Sequence, residues 1–222
     1  MPKVYTSRDI NSVLRQQLAS NKAVKVGGIR GHHAICVAVE KNAKVTVEGS
    51  AGDFFGALNR QASIILVGRA NNYAGDSMTG GELLLEGEVG AGVAACLGGG
   101  AVVVKGSAAE DAGAGMRDGT LIVDGNAGDC LGRRMLGGTI IVTGKAGKDV
   151  GRGMRGGEIY VASDVGGLGR GASISEASHE EKKRIGVLLD KYGIKAKLAL
   201  FEKVSPAEIE DDMIRIVVEG VE

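Results

Sequence analysis

The sequence predicts an all-β solenoid, a parallel β-helix of about seven 19-residue coils with short helical caps at both termini. Three observations predict it. Glycine supplies 38 of the 222 residues, far above an ordinary usage of roughly 7%. The glycines keep a fixed beat: Gly49, Gly68, Gly87, Gly106, Gly125 and Gly144 stand 19 apart, and so do Gly81, Gly100, Gly119, Gly138 and Gly157. The only prolines are Pro2 and Pro206, so no internal strand loses a ladder donor, and a collagen-type triple helix is excluded.

At the front, Ser7 precedes Ile10, Val13, Leu14 and Leu18, the spacing of a short amphipathic helix. Two strand-like pieces, Ala23–Val26 and Ala34–Val39, complete an N-terminal cap over residues 1–42. The solenoid follows over residues 43–171. Stacking its copies in register produces columns. Val45, Ile64, Leu83, Val102, Leu121, Ile140 and Ile159 form one, and Val47, Leu66, Leu85, Val104, Val123, Val142 and Val161 form another two residues on. A spacing of two puts both on one face of a strand. Ala51, Ala70, Val89, Ala108, Ala127, Ala146 and Val165 form a column of small residues suited to a tight corner. A further column holds Asn59, Met78, Leu97, Met116, Met135 and Met154. Its thioethers read as flexible core filling rather than as a soft-metal site. Glycines at the bends supply positive φ or close backbone approach.

One column breaks the alternation. Thr46, Ile65, Leu84, Val103, Ile122, Ile141 and Tyr160 point outward, yet six of the seven are apolar or aromatic. A large apolar patch marks a contact, and its cover is either a terminal helix of this chain or a partner subunit. Residues 172–222 hold only three glycines. There Ser178 and Glu181 form a capping box, Ile185, Leu188, Leu189 and Tyr192 follow at helical spacing, and Gly193 sits at the C-cap. Ser205-Pro206-Ala207-Glu208 reads as a second helix start, and IRIVVEGV as a terminal strand.

Charge and motif tests narrow the chemistry. Lys and Arg total 27, as do Asp and Glu, which argues against nucleic acid or an anionic membrane as partner. No apolar run approaches the roughly 18 residues of a membrane span, and MPKVYTSRDI lacks a signal-peptide core. Cys36, Cys96 and Cys130 are odd in number and widely spaced, which fits a reducing, cytoplasmic compartment. Gly151-Arg-Gly153-Met-Arg-Gly156 matches a dinucleotide fingerprint, but a strand follows where a helix is required, so the match is a product of the repeat. His32 and His33 are adjacent, and in a strand they would face opposite ways, poor geometry for one metal. Acidic residues at the bends (Asp53, Asp76, Asp129, Asp149) read as turn formers. Arg133, Arg134, Arg152 and Arg155, with Arg117 and Arg60, gather at one corner of the stacked coils, either as a solvated edge or as a docking surface for an acidic partner. With three Phe, four Tyr and no Trp, stacking platforms for a carbohydrate-binding β-helix are scarce. No catalytic, cofactor or metal residue emerges.

The stretch from Gly49 to Leu58, GSAGDFFGAL, and the stretch from Gly68 to Gly81, GRANNYAGDSMTGG, resemble paired motifs of the C-terminal glycine-rich domain of the glutamate synthase large subunit. The later blocks, Gly144–Gly157 especially, are also similar to the formylmethanofuran dehydrogenase component that shares this repeat. The resemblance covers residues 43–165 and implies a right-handed β-helix. It implies a non-catalytic role: packing glutaminase and flavin-bearing synthase parts together and supporting ammonia transfer. No glutaminase nucleophile, flavin barrel or iron–sulfur cysteine set occurs in the sequence. The chain is therefore expected to be a free-standing version of that domain that binds no cofactor, with FMN and an iron–sulfur cluster carried by a partner subunit. Glutaminase-like and flavin-containing subunits are the expected partners, and self-association stays open. A component of a formylmethanofuran dehydrogenase-type complex and an autonomous carbohydrate-binding β-helix are the alternatives.

Overall fold

The computed structural model describes residues 5–207. Its elements are α1 (Ser7–Ser20), β1 (Ala23–His32), β2 (Lys44–Ala51), β3 (Ser63–Val67), β4 (Thr79–Leu85), β5 (Gly98–Val104), β6 (Asp118–Val123), β7 (Leu136–Val142), β8 (Gly156–Val161), β9 (Ala172–Glu176), α2 (His179–Lys191), a 3-10 turn at Leu198–Leu200, and β10 (Glu202–Pro206). The strands form one sheet in the order β1-β2-β3-β4-β5-β6-β7-β8-β10-β9. The architecture is a parallel β-solenoid.

From β2 to β8 the strand centres keep the 19-residue register: Lys44 pairs with Ser63, Ser63 with Glu82, Ala101 with Thr120 and Thr120 with Thr139. Irregularities at the starts of β4, β5 and β7 pair Thr79 with Gly99, Gly98 with Asp118 and Leu136 with Gly156. The two inward columns, from Val45 and Val47 to Ile159 and Val161, are fully buried. Burial of such a side chain contributes roughly 1.5–3 kcal/mol, and here that burial is repeated at every rung. The small-residue column forms a second ladder of bridges, Ala51 to Ala70 to Val89 and on to Val165.

The first rung precedes residue 43. β1 pairs in parallel with β2, so Ala23–Val26 belongs to the solenoid rather than to a separate cap. Its offset shrinks from 21 at Ala23–Lys44 to 19 at His32–Ala51, through two irregularities in β1. Such bulges insert extra residues into a strand, and they hide this rung from a strict 19-residue period. Helix α1 covers it. Leu14 and Leu18 bury into the central core. The Asn11 side chain donates to Ala34 O (2.7 Å) and accepts from Cys36 N (3.0 Å). Both helices start on complete capping boxes, Thr6 with Asp9 and Ser178 with Glu181.

The third ladder is not a strand. Between β2 and β3, and in the same place on later rungs, alternate residues hold left-handed backbone: Phe54, Gly56 and Leu58, then Tyr73, Gly75 and Ser77, and so on to Asp149, Gly151 and Gly153. The expected strand Ala34–Val39 is the first such segment, with Ala34, Cys36 and Ala38 left-handed. Among the described residues, positive φ therefore falls on thirteen non-glycine residues as well as on glycines. Each left-handed residue bearing a Cβ costs roughly 1–2 kcal/mol. The compensation is a ladder that alternates direction: Phe54 N donates to Asn72 O on the next rung, Gly56 N to Ile35 O on the previous one, and Leu58 N to Asp76 O on the next (each 2.9 Å). Hydrogen bonds to both neighbouring rungs hold the strained backbone in place.

The two 19-residue glycine series answer to close approach. A Cβ on Gly87 would stand 2.7 Å from Gly68 O. Gly138 combines φ +87° with only 2.8 Å from a Cβ to Gly119 O. Where the methionine column begins with Asn59, that buried amide donates to Ala62 O and accepts from Ala62 N, closing the Arg60–Gln61 corner.

At the far end β10 inserts antiparallel between β8 and β9, with Lys203 opposite Tyr160 and Ser175. Ser205 and Pro206, expected to start a helix, close this strand instead. The rest of that expected helix and the strand IRIVVEGV lie outside the described residues.

Candidate functional site

The outward apolar column has its cover within the chain. Val103, Ile122, Ile141 and Tyr160 are buried, in a cluster with Ile185, Leu189, Ile194 and Phe201, and Leu84 packs against it. Helix α2 lies over the wall, so these side chains are not a free partner surface, contrary to one of the two readings of the sequence. Its placement is held by charge at both ends. Near its start, Lys203 bridges Glu158 (2.6 Å) and Glu181 (2.7 Å). The Tyr160 hydroxyl donates to Glu158 Oε2. Hydrogen bonding from Lys203 holds the Glu181 carboxyl far down, at about 2. At its end, Lys191 and the Tyr192 hydroxyl both reach Glu82 on β4. They lower the Glu82 carboxyl, and Lys105 donates to Tyr192 O. The helix thus runs from β8 back to β4. Thirteen residues span roughly 20 Å, and four rung spacings are about 19 Å. Ile65 on β3 and Thr46 on β2 lie beyond its reach and remain half-exposed.

The left-handed wall carries two chemically different ends. Near β2 and β3, Phe54 and Tyr73 stack at 5.1 Å with an interplanar angle of 12°. They are 43% exposed each, beside Leu58 at 48%. These residues lie inside the glycine-rich blocks Gly49–Leu58 and Gly68–Gly81. Near β7 and β8, a concavity of about 430 Å³ is lined by Arg133, Arg134, Arg152 and Arg170 with Asp111, Cys130 and Gly153. Arg155, expected in this cluster, is exposed and does not line the concavity; nor do Arg117 and Arg60. They belong to a different column, two to three positions farther along the coil. Arg170 takes their place. It lies past the last full repeat, where periodicity gives no register.

The remaining candidates have structural duties. His33 Nδ1 accepts from Asp53 N (3.0 Å), while His32 Nδ1 accepts from Arg30 N and its Nε2 meets Tyr5 O. Asp53 and Asp129 accept the backbone N–H of Asn72 and Lys148, each one rung on. Among the described residues no group of three or more His, Cys, Asp or Glu is placed to hold a metal. The three cysteines are free thiols. Burial pushes Cys36 up to about 12. Cys130 is raised by burial and then by Asp111 and Asp149, against the pull of Arg133 and Arg152. A thiol held protonated is a poor nucleophile. No helix among the described residues is long and apolar enough to cross a membrane.

The family model of the GXGXG motif matches residues 23–174. The chain belongs to the GXGXG family. The match begins at β1, where the parallel ladder begins. No curated protein matches the chain.

Proposed function

We propose that this GXGXG chain is a non-catalytic scaffold in a glutamate synthase-type assembly. It packs a glutaminase-like part against a flavin-bearing synthase part and supports the passage of ammonia between them. FMN and an iron–sulfur cluster belong to the partner in this reading. The observation that carries it is a coincidence of position. The two blocks that resemble glutamate synthase, Gly49–Leu58 and Gly68–Gly81, present the exposed Phe54–Tyr73 stack and Leu58. Paired aromatics with an apolar neighbour on a rigid wall make an interface anchor. The backbone beneath them is fixed by hydrogen bonds to both adjacent rungs, so docking there would order little additional chain.

The test is purification of the chain from its native cells under mild conditions. A glutaminase-like chain and a flavin-containing chain should co-elute with it. Replacing Phe54, Leu58 and Tyr73 by Ser should release them. A chain that elutes alone overturns the reading. Molybdenum or tungsten in the particle in place of flavin transfers it to a formylmethanofuran dehydrogenase-type complex.

A further inference from the structure

We propose that the arginine concavity at the β7–β8 end of the left-handed wall binds a compact divalent oxyanion of the phosphate type. The proposal is independent of the scaffold reading. Four guanidinium groups line the concavity against one lining carboxylate, Asp111. Backbone bonds bring the residues together: Arg134 N donates to Arg152 O and Gly153 N to Arg170 O, each 2.8 Å. Successive rungs lie only about 4.8 Å apart, so like charges stacked along them repel unless something anionic sits between them.

Two of the four arginines are partly neutralised. Arg133 Nε donates to Asp111 Oδ1 at 2.7 Å, which fixes the guanidinium and leaves its terminal nitrogens uncommitted among the described residues. Arg152 lies 3.6 Å from Asp149. Arg134 and Arg170 have no carboxylate partner among the described residues. The remaining charge matches a dianion, and fixed guanidinium forks suit oxyanion geometry.

Arg134 adds a second observation. One rung to either side, the same column position is Gly115 (φ +66°) and Gly153 (φ +67°), while Arg134 holds φ +55°. A long cationic side chain thus occupies a left-handed site that glycine fills on both neighbouring rungs, at roughly 1–2 kcal/mol of strain. Leu58, Ser77 and Cys96 hold the same backbone farther along this column, but at this end of the wall Arg134 is the residue that carries a positive charge there.

The experiment titrates inorganic phosphate into the full chain at constant ionic strength, with chloride as compensating salt. Binding is read by phosphorus NMR line broadening and by thermal denaturation. A saturable broadening and a rise in Tm are expected. The variant Arg134→Gly with Arg170→Ser should weaken phosphate binding at least about tenfold without lowering Tm in chloride, because glycine relieves the left-handed backbone. Equal effects of phosphate and chloride overturn the proposal, as does a variant that binds like the parent chain. A second arm adds a synthetic peptide of residues 208–222, which carries Glu208, Glu210, Asp211 and Asp212. Peptide binding without phosphate binding also overturns the proposal and makes the concavity a peptide-docking surface.

Discussion

The outward column has two fates. On β5 to β8, Val103, Ile122, Ile141 and Tyr160 are buried beneath α2 and the segment that follows it. On β2 and β3, Thr46 and Ile65 stand in the same column, on the same kind of strand, and stay half-exposed. The local sequence of these rungs is nearly equivalent, so strand pattern alone does not decide burial. Helix length decides it. A 13-residue helix anchored at Glu158 ends at Glu82, and the first rungs are left outside. A repeat protein can therefore carry one surface chemistry along its whole length and assign it to core or to surface with a single non-repeating element.

The largest expected effect separates the two halves directly. Ile141→Ala removes a fully buried side chain and should destabilise the chain by about 2–5 kcal/mol. Ile65→Ala, at the equivalent place on the uncovered half, should cost less than about 1 kcal/mol. Denaturant unfolding of both variants makes the comparison, and equal losses would break it.

A middle-sized effect comes from pH. Glu181 titrates at about 2 in the folded chain, against an ordinary value of 4.5. A depressed carboxyl contributes stability that is fully present above 4.5 and is lost as pH falls through the folded value. The loss should fall on the docking of α2. Between pH 4.5 and 2, hydrogen exchange at Ile185–Leu189, corrected for intrinsic rates, should accelerate more than exchange at Ile64–Leu66. Parallel acceleration would show that Glu181 and Lys203 do not hold the helix. Lys203 behaves in the opposite sense. Burial alone would lower it, but Glu158 and Glu181 raise it overall, so its contribution is intact below 10.5 and lost as pH climbs through the raised value.

The smallest effect belongs to the uncovered end. Lys25 and Glu48 join β1 to β2 at 2.7 Å, yet their side chains are 66% and 47% exposed. Lys25→Ala should change stability by less than about 0.5 kcal/mol in a urea titration. A larger loss would mean that this end depends on surface charge more than the comparison allows.

The solenoid was legible because its period is long and strictly kept. Val45, Ile64 and Leu83 align in sequence as they pair in space. The α2 capping box was readable for a different, local reason: Ser178 and Glu181 stand three apart at the start of a helical pattern. The first rung was not legible, since its bulges move the offset from 21 to 19. Nor was the insertion of β10 between β8 and β9, which depends on a chain reversal with no sequence period. The left-handed wall escaped because residues such as Phe54, Tyr73 and Arg134 carry a conformation usually reserved for glycine. That wall holds both the aromatic stack and the arginine concavity. Arg133, Arg134 and Arg152 line one concavity with Arg170, whereas Arg155, Arg117 and Arg60, from another column, do not.

The proposed function lies in what the solenoid holds together. Photo-crosslinking in native cells, from a photoreactive residue in place of the exposed Tyr73, tests it most directly. A crosslink to a glutaminase-like or flavin-containing chain is expected, lost when Phe54 and Leu58 are changed to Ser. Crosslinks only between copies of this chain, or none above background, would contradict it.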